Sequence, residues 1–330
     1  SSDLVVPAIS GVLFELAANG LKLYLNIPQK EVHPGQLVTV CIKAVNRHVI
    51  FLGKQQFQIG VAYLNTPGNE KEMLQCDGVT EKVQQTMAEF SPKHCGIAQI
   101  DIEKVFLQDY LGLIGTQKNF RGSCQLAVLP EPVLSTRVRT GMEKQQEYRY
   151  SAVADDDSDI LDLRAFRPGD NLNHIHWNLS LRTDDLIVRQ YGEQIDVKKV
   201  ILVDLSILNT AQYRSRMDAV YTAVASIANL YVENEVNTLI LAWNGQKQSA
   251  EYLEVHDRTE LNRAMIRLMQ IPCSSRAGEH AAAVYLKDIE AQGQQALFVT
   301  AGSYENNKVR IVNVEKIQLQ ELIDELWEKI

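Results

Sequence analysis

The segment Asp159–Ser206 joins two kinds of sequence pattern, and it reads DILDLRAFRPGDNLNHIHWNLSLRTDDLIVRQYGEQIDVKKVILVDLS. It closes with the apolar, β-branched run Val200–Leu205, which is typical of a strand buried on both faces of a parallel sheet. Asp204 and Ser206 stand at the carboxyl end of this strand. Because open α/β sheets bind ligands at the carboxyl ends of their strands, we expect a binding surface there.

After this segment, predicted strands alternate with predicted amphipathic helices. Apolar side chains that recur every three or four residues from about Gln212 to Glu233 indicate the first helix. The later predicted elements are a strand at Thr238–Trp243, a helix around Leu261–Leu268, a helix from about Glu279 to Gln292, strands at Ala296–Thr300 and Val309–Val314, and a helix over Leu319–Ile330. This order predicts an α/β fold with a doubly wound, mostly parallel sheet.

The residues that precede the segment alternate with a period of two instead. Polar and apolar side chains alternate in the runs Leu21–Leu25, Val38–Ala44, Phe57–Tyr63 and Ile97–Val105. Antiparallel strands have this period, and several of them in succession predict an all-β sandwich. We therefore predict a β-sandwich domain at residues 1–135, a polar linker at 136–158 and an α/β domain at 159–330.

The composition narrows the classes of function. The chain has 330 residues, 45% of them hydrophobic, and a formal net charge of −8. It has no run of Lys and Arg, so we expect no nucleic-acid partner. Its five cysteines form no Cys-x-x-Cys pair, which argues against a disulfide framework and a thiolate zinc site. No run reaches the about 18 apolar residues of a membrane span, so we expect membrane contact only through a segment absent from this chain.

Four motifs resemble a bacterial family, and they are Arg164–Asp170, Ile175–Trp177, Val188–Tyr191 and Val203–Ser206. Together they resemble the family called domain of unknown function 58. The upstream Cys95-Gly96 and Asp109–Leu113 segments are similar to the region that precedes that domain in the same proteins.

The resemblance implies a von Willebrand factor A-like fold for the α/β domain. Members typically carry membrane helices ahead of the sandwich, and they are linked with MoxR-type AAA+ ATPases and with transglutaminase-like proteins. By resemblance, we expect a bacterial protein whose full-length form lies at the cytoplasmic side of the inner membrane and which is soluble as this fragment. A MoxR-type ATPase is then the expected partner.

Many von Willebrand A domains bind a divalent cation through Asp-x-Ser-x-Ser, a later Thr and a later Asp. Here Asp204 and Ser206 match, but Leu208 stands at the second Ser position. By order along the chain, Glu279 stands at the Thr position and Ala301 at the final Asp position. Because a hard cation needs about six oxygen ligands, we expect no metal. If one binds, its ligands would be Asp204, Ser206 and Glu279.

A second group of polar residues surrounds Pro168-Gly169. Its members are Arg164, Arg167, Asp170, Trp177, Arg182 and Arg189. We interpret it as a structural motif in which arginines pair with carboxylates, Asp170 caps a short helix and Trp177 is a core residue; a docking surface for an acidic partner is the alternative. His174 and His176 could share a strand face as metal ligands, but on the predicted helix they would point apart.

The sequence carries no Gly-x-Ser-x-Gly, phosphate-binding Gly-x-x-x-x-Gly-Lys or His-Glu-x-x-His motif. We therefore expect a non-enzymatic protein-interaction module without a cofactor. Its expected docking surface consists of Asp204, Ser206, Glu279, Ala301 and Ser303. The alternative is a magnesium- or calcium-dependent ligand-binding domain of the von Willebrand A type.

Overall fold

The structure is a computed structural model. It describes residues 5–46, 53–64, 71–78, 83–109, 112–120, 122–136, 160–165, 167, 180, 186–191, 199–206, 212–288, 296–302, 304 and 309–330. The chain divides into two compact units, Ser1–Ser135 with Lys198–Ile330, and Thr136–Val197. The predicted boundaries of sandwich, linker and α/β domain stay a prediction.

The N-terminal region is β-sandwich-like and begins with one helix, α1 (Val5–Asn19). Its strands are β1 (Leu21–Asn26), β2 (Glu31–Val32), β3 (Val38–Asn46), β4 (Gln55–Tyr63), β5 (Glu72–Gly78), β6 (Val83–Phe90), β7 (Gly96–Gln108), β8 (Gly115–Lys118) and β9 (Ser123–Val128). One antiparallel sheet has the order β1-β3-β6, and a second has the order β2-β9-β7-β4-β5, with β8 paired to β7.

The alternation of side chains explains why these strands form two packed layers. In β3, Val38, Val40 and Ile42 are fully buried and the residues between them are not. They share one core with Phe57 and Ile59 of β4, which belong to the other sheet. Fully burying each such side chain stabilises the fold by about 1.5–3 kcal/mol. The two sheets therefore pack through the faces on which the alternation places these apolar side chains. The predicted β-sandwich-like character of this region is confirmed, but the region is not all-β, because it begins with helix α1.

Helix α1 was not predicted from the sequence. Phe14 and Ala17 pack into the sandwich core, whereas Val12, Leu13 and Leu16 are exposed. Apolar side chains thus lie on more than one side of the helix, so the sequence lacks the single apolar stripe that predicts a surface helix. Within the described part of the chain, each helix is too short or too polar to cross a bilayer.

The unit Thr136–Val197 contains an antiparallel pair, β10 (Ile160–Ala165) and β11 (Ile187–Tyr191). Arg164 lies opposite Val188, and Arg189 lies opposite Leu163; Arg167 is exposed. The other members of the predicted structural motif lie outside the described residues, and they are Asp170, Trp177 and Arg182, together with His174 and His176. The ion-pair interpretation of this motif therefore stays a prediction.

The C-terminal region alternates between strands and helices, so the α/β prediction is confirmed. Its elements are β12 (Lys199–Val203), α2 (Tyr213–Glu233), β13 (Thr238–Asn244), β14 (Ser249–Val255), α3 (Arg258–Gln270), α4 (Ala277–Asp288), β15 (Ala296–Thr300), β16 (Arg310–Asn313) and α5 (Leu319–Glu328). The strand order is β14-β13-β12-β15-β16. All neighbours are parallel except β13 and β14.

Strand β12 lies in the middle of this sheet, and both of its faces are buried. Ile201 and Val203 pack into a core with α2, α3 and α5, while Val200 and Leu202 pack into a second core with α4. Successive strand residues point to opposite faces, so a strand between two helical layers must be apolar throughout. This is the reason for the uninterrupted run that begins at Val200.

The β-sandwich-like region and the α/β region share part of their core. Ile97, Ala127 and Leu129 of the sandwich belong to the same buried cluster as the apolar face of α2. Beside this cluster, the Val133 amide donates a hydrogen bond of 2.8 Å to Ser226 Oγ on α2. The two regions therefore stabilise each other through apolar and polar contacts.

Replacing Ile201 with Ala tests the role of β12. Ile201 is fully buried and pairs with Ile240 and Leu297 on its two neighbouring strands. We expect the variant to lose about 2–5 kcal/mol of unfolding free energy, because the cavity adds to the lost burial. Urea denaturation measures the change. Val12→Ala is the control, since Val12 is 63% exposed and should change stability by less than about 0.5 kcal/mol. Equal effects would contradict the placement of β12.

Candidate functional site

Asp204 and Thr300 meet where β12 and β15 end. Val203 pairs with Val299 in the parallel register, so the next residue of each strand extends from the same edge of the sheet. Thr300 Oγ1 donates a hydrogen bond of 2.6 Å to Asp204 Oδ2, and the Ser206 amide donates one of 3.0 Å to Asp204 Oδ1. Each carboxylate oxygen of Asp204 therefore already accepts a hydrogen bond from the protein.

The connection between α3 and α4 closes over this edge. The Ser274 amide donates to the Leu205 carbonyl at 3.3 Å, and the Gly278 amide donates to Ser206 Oγ at 3.2 Å. A Cβ atom at Gly278 would lie 2.4 Å from Asp204 Oδ1, so only glycine allows the first turn of α4 to approach so closely. The positive end of the α4 dipole then stabilises the Asp204 carboxylate.

Asp204, Ser206, Gly278 and Thr300 are together called the Asp204 edge below. From this edge, hydrogen bonds continue to the turn after β16. The Gly302 amide donates to Thr300 Oγ1 at 2.9 Å, and Asn313 Nδ2 donates to the Gly302 carbonyl at 2.8 Å. Asn313 Oδ1 accepts from the Glu315 amide at 3.0 Å. These bonds fix the carboxyl ends of three neighbouring strands relative to one another.

Charged and aromatic side chains lie at and just before the start of α4, next to the glycine that approaches Asp204. The side chains of Arg276 and Glu279 are 76% and 61% exposed, and their charged atoms approach to 3.9 Å. The His280 ring stacks on Trp243, with ring centroids 4.9 Å apart. An exposed ion pair of this kind contributes at most about 1 kcal/mol, so either charge can be given up to a binding partner at little cost.

The structure brings together some of the residues expected at this site. Asp204 and Ser206 are hydrogen-bonded neighbours, and Glu279 lies one residue after Gly278 with Arg276 as its ion-pair partner. Ala301 is buried, so its side chain is hidden from a binding partner. Ser303 lies outside the described residues.

Three residues of the site were not among those expected, and they are Ser274, Gly278 and Thr300. The parallel register places Thr300 beside Asp204, and the sequence gives no local signal for that register. Ser274 forms an isolated parallel bridge with Ser206, and its buried Oγ has no hydrogen-bond partner among the described residues. No local sequence signal identifies Ser274 or Gly278, because both approach the edge through tertiary contacts.

A second polar cluster joins the sandwich to α2. Asp218 accepts a 2.7 Å hydrogen bond from His94 Nδ1 and a 2.8 Å bond from the Cys95 amide. Burial raises the pKa of Asp218, and the hydrogen bonds from His94 and Cys95 oppose that shift. Burial also raises the pKa of the Cys95 thiol to about 12, so the thiol is neutral at physiological pH and a weak nucleophile.

Comparison with known proteins gives one family match. Residues 162–308 match the model of the family described as Protein of unknown function DUF58. The match covers under half of the chain and supports assignment to that family. No curated protein matches the chain.

Several solved structures are similar to a part of the chain. A CARDB domain from Pyrococcus furiosus, solved in complex with di-metal ions, is 12% identical over 33% of this chain and 87% of that one, with a TM-score of 0.22. A type II cohesin domain from the cellulosome of Acetivibrio cellulolyticus is 12% identical over 33% of this chain and 94% of that one, with a TM-score of 0.23. Scores this low carry no conclusion about this chain.

Gly278→Ala tests the close approach of α4 to the Asp204 edge. The added methyl group would clash with a carboxylate that Thr300 and Ser206 hold in place. We expect overpacking to cost about 1–3 kcal/mol, more than the about 0.5–1 kcal/mol that alanine gains over glycine in a helix. Urea denaturation should show a net loss. Gly122→Ala, where an added Cβ meets nothing within 4 Å, is the control. A stabilised Gly278→Ala variant would contradict the geometry.

Proposed function

We propose that this chain is a non-enzymatic protein-interaction module whose C-terminal region is von Willebrand factor A-like and docks its partner at the Asp204 edge. The strand order supports this, because the direction of winding reverses between β12 and β15 and such a point is where open α/β sheets bind. The match to a family of unknown function over residues 162–308 is consistent with it.

The hydrogen bonding of Asp204 favours docking over metal binding. A magnesium ion requires near-octahedral oxygen ligands. Here the two carboxylate oxygens accept from Thr300 Oγ1 and the Ser206 amide, and the backbone of Gly278 lies against them. These donors and the close backbone of Gly278 leave a cation little room beside the carboxylate, whereas a protein can bind the exposed Arg276 and Glu279 without changing them.

A MoxR-type AAA+ ATPase is the partner that we propose, on the strength of the family resemblance. The assembly would be bacterial, chaperone-like or membrane-associated, and located at the cytoplasmic side of the inner membrane. The rim around the Asp204 edge carries both signs of charge at Arg276 and Glu279. Charges at the rim of an interface chiefly set orientation and association rate, which suits a regulated contact with an ATPase.

Glu279→Arg tests this docking surface. The side chain is exposed, so the variant should fold normally. We expect the charge reversal to weaken binding of a purified MoxR-type ATPase from the same genome by about tenfold or more, because like charges then face each other. Biolayer interferometry with the immobilised chain measures the affinity.

Glu321→Arg is the matched control, because Glu321 is an exposed acid in the first turn of α5 as Glu279 is in the first turn of α4. It should leave the affinity within about twofold. Equal losses in the two variants would exclude the Asp204 edge as the docking surface. An absence of binding by the unmodified chain would exclude this partner.

A metal-dependent ligand-binding domain is the second candidate, and Ser274 favours it. Its buried Oγ, which has no hydrogen-bond partner among the described residues, lies in the loop that closes over Asp204. The Thr300 hydroxyl contacts the Asp204 carboxylate, and Ser274 is bridged to Ser206 beside it. Together with bound waters, these oxygens could form the shell of a hard cation. Glu279 would have to leave Arg276 to become a further ligand.

Calorimetric titration with magnesium and with calcium separates the two candidates. If the edge is a docking surface, neither ion gives saturable heat in the submillimolar range. Saturable heat that disappears in Asp204→Ala and persists in Asp257→Ala would establish the metal site instead. Asp257 is a suitable control because it caps α3 through the Glu260 amide.

A further inference from the structure

A cavity of about 260 Å³ lies between α2 and α5, beside the end of β16. The side chains that line it are Asp218, Ala219, Thr222, Ala223, Val312, Val314, Ile317, Leu319 and Leu322. Seven of these nine are hydrocarbon. Ala219 and Ala223 stand one turn apart on α2, and their small side chains leave the space. Because most of the lining is hydrocarbon, an apolar group placed there would leave water and gain packing contacts.

The cavity lies at the end of the sheet where α/β proteins bind ligands. Val312 pairs with Val299, and Asn313 pairs with Thr300, so the lining residues of β16 are at the same level as the carboxyl ends of β12 and β15. Asn313 also belongs to the hydrogen-bonded chain that starts at Asp204. The cavity therefore lies at the same edge of the sheet, on the face that α2 covers. Arg276 and Glu279 lie at the start of α4, which covers the other face.

Asp218 is the one ionisable group among the described residues that line the cavity. Its two oxygens accept one hydrogen bond each, from His94 and from the Cys95 amide. A carboxylate has about four lone-pair sites, so it can still accept bonds from a ligand. Burial raises the pKa of Asp218, whereas the hydrogen bonds from His94 and Cys95 and the charges of His94 and Arg214 lower it. A further cation beside the carboxylate would stabilise the charged form in the same way.

We propose that this cavity binds a small organic cation, with its hydrocarbon body between α2 and α5 and its protonated amine on the Asp218 carboxylate. Two independent features define the ligand class. The apolar lining selects a compact hydrocarbon group, and the single carboxylate selects a positive charge at one end. A cavity of about 150 Å³ can hold benzene, so a phenyl ring with a short aminoalkyl chain fits this one.

Phenethylamine and its neutral isostere 2-phenylethanol test the proposal on the intact chain. Methyl NMR of Val312 and Leu322 reports binding at the cavity itself. We expect phenethylamine to shift these methyl signals with a Kd of about 1 mM or below. The alcohol should bind at least about tenfold more weakly, because it lacks the charge-assisted hydrogen bond.

Variants separate the roles of charge and space. Asp218→Asn should remove the preference for the amine over the alcohol. Thr222→Leu, which fills the cavity, should abolish the shifts caused by both probes, whereas Thr222→Val, which keeps the volume, should retain them. The Thr222 pair decides the matter even if Asp218→Asn does not fold, because both Thr222 variants keep Asp218 and its hydrogen bonds from His94 and Cys95.

Three results would overturn the proposal. They are an absence of saturable shifts with phenethylamine, equal affinity for the amine and the alcohol in the unmodified chain, and unchanged binding in Thr222→Leu. None of these outcomes depends on docking at the Asp204 edge. The proposal of a cation site and the proposal of a docking surface are therefore tested independently.

Discussion

The hydrogen bond from Thr300 Oγ1 to Asp204 Oδ2 joins the two strands at which the order of the five-stranded sheet reverses. The helices of such a sheet cover opposite faces, so a crevice opens between the ends of the two strands. Here α2 covers one face and α4 covers the other. The chain occupies the crevice with its own donors, and Gly278 brings the backbone of α4 against the carboxylate.

This arrangement determines what the edge can present to other molecules. Because the Asp204 oxygens are engaged by a hydroxyl and an amide, the charge available to a protein partner lies at the rim, on Arg276 and Glu279. The same hydrogen-bonded chain continues through Asn313 to the end of β16, where the apolar cavity begins. The Asp204 edge thus lies between a charged surface on the face of the sheet that α4 covers and a hydrocarbon-lined cavity on the face that α2 covers.

Local patterns in the sequence predicted the elements whose burial follows a single period. The alternating run at Val38–Ala44 and the continuous run that begins at Val200 both form strands, β3 and β12. Strand β14 was not predicted, because only Leu253 and Val255 in its second half are buried and the period-two signal is correspondingly short. Helix α1 was not predicted because its apolar residues do not form one stripe.

The candidate site was predicted only in part, because its geometry depends on register between distant strands. Order along the chain placed Ala301 at the final Asp position of the cation motif, but Ala301 is buried, and the pairing of Val203 with Val299 brings Thr300 to Asp204 instead. A shift of one residue reverses the face to which a strand side chain points, and no local pattern fixes that register. Ser274 and Gly278 reach the edge through the folding of α3 and α4 against the sheet, which a linear motif does not encode.

A double-mutant cycle on Asp204→Ala and Thr300→Val measures the energy of the bond on which this account depends. Urea denaturation of the unmodified chain, the two single variants and the double variant gives the coupling free energy. The account predicts a favourable coupling of about 1.5–3 kcal/mol, as for other hydrogen bonds to a charged group. Additive effects, with a coupling below about 0.3 kcal/mol, would show that Thr300 does not hold Asp204 and would contradict it.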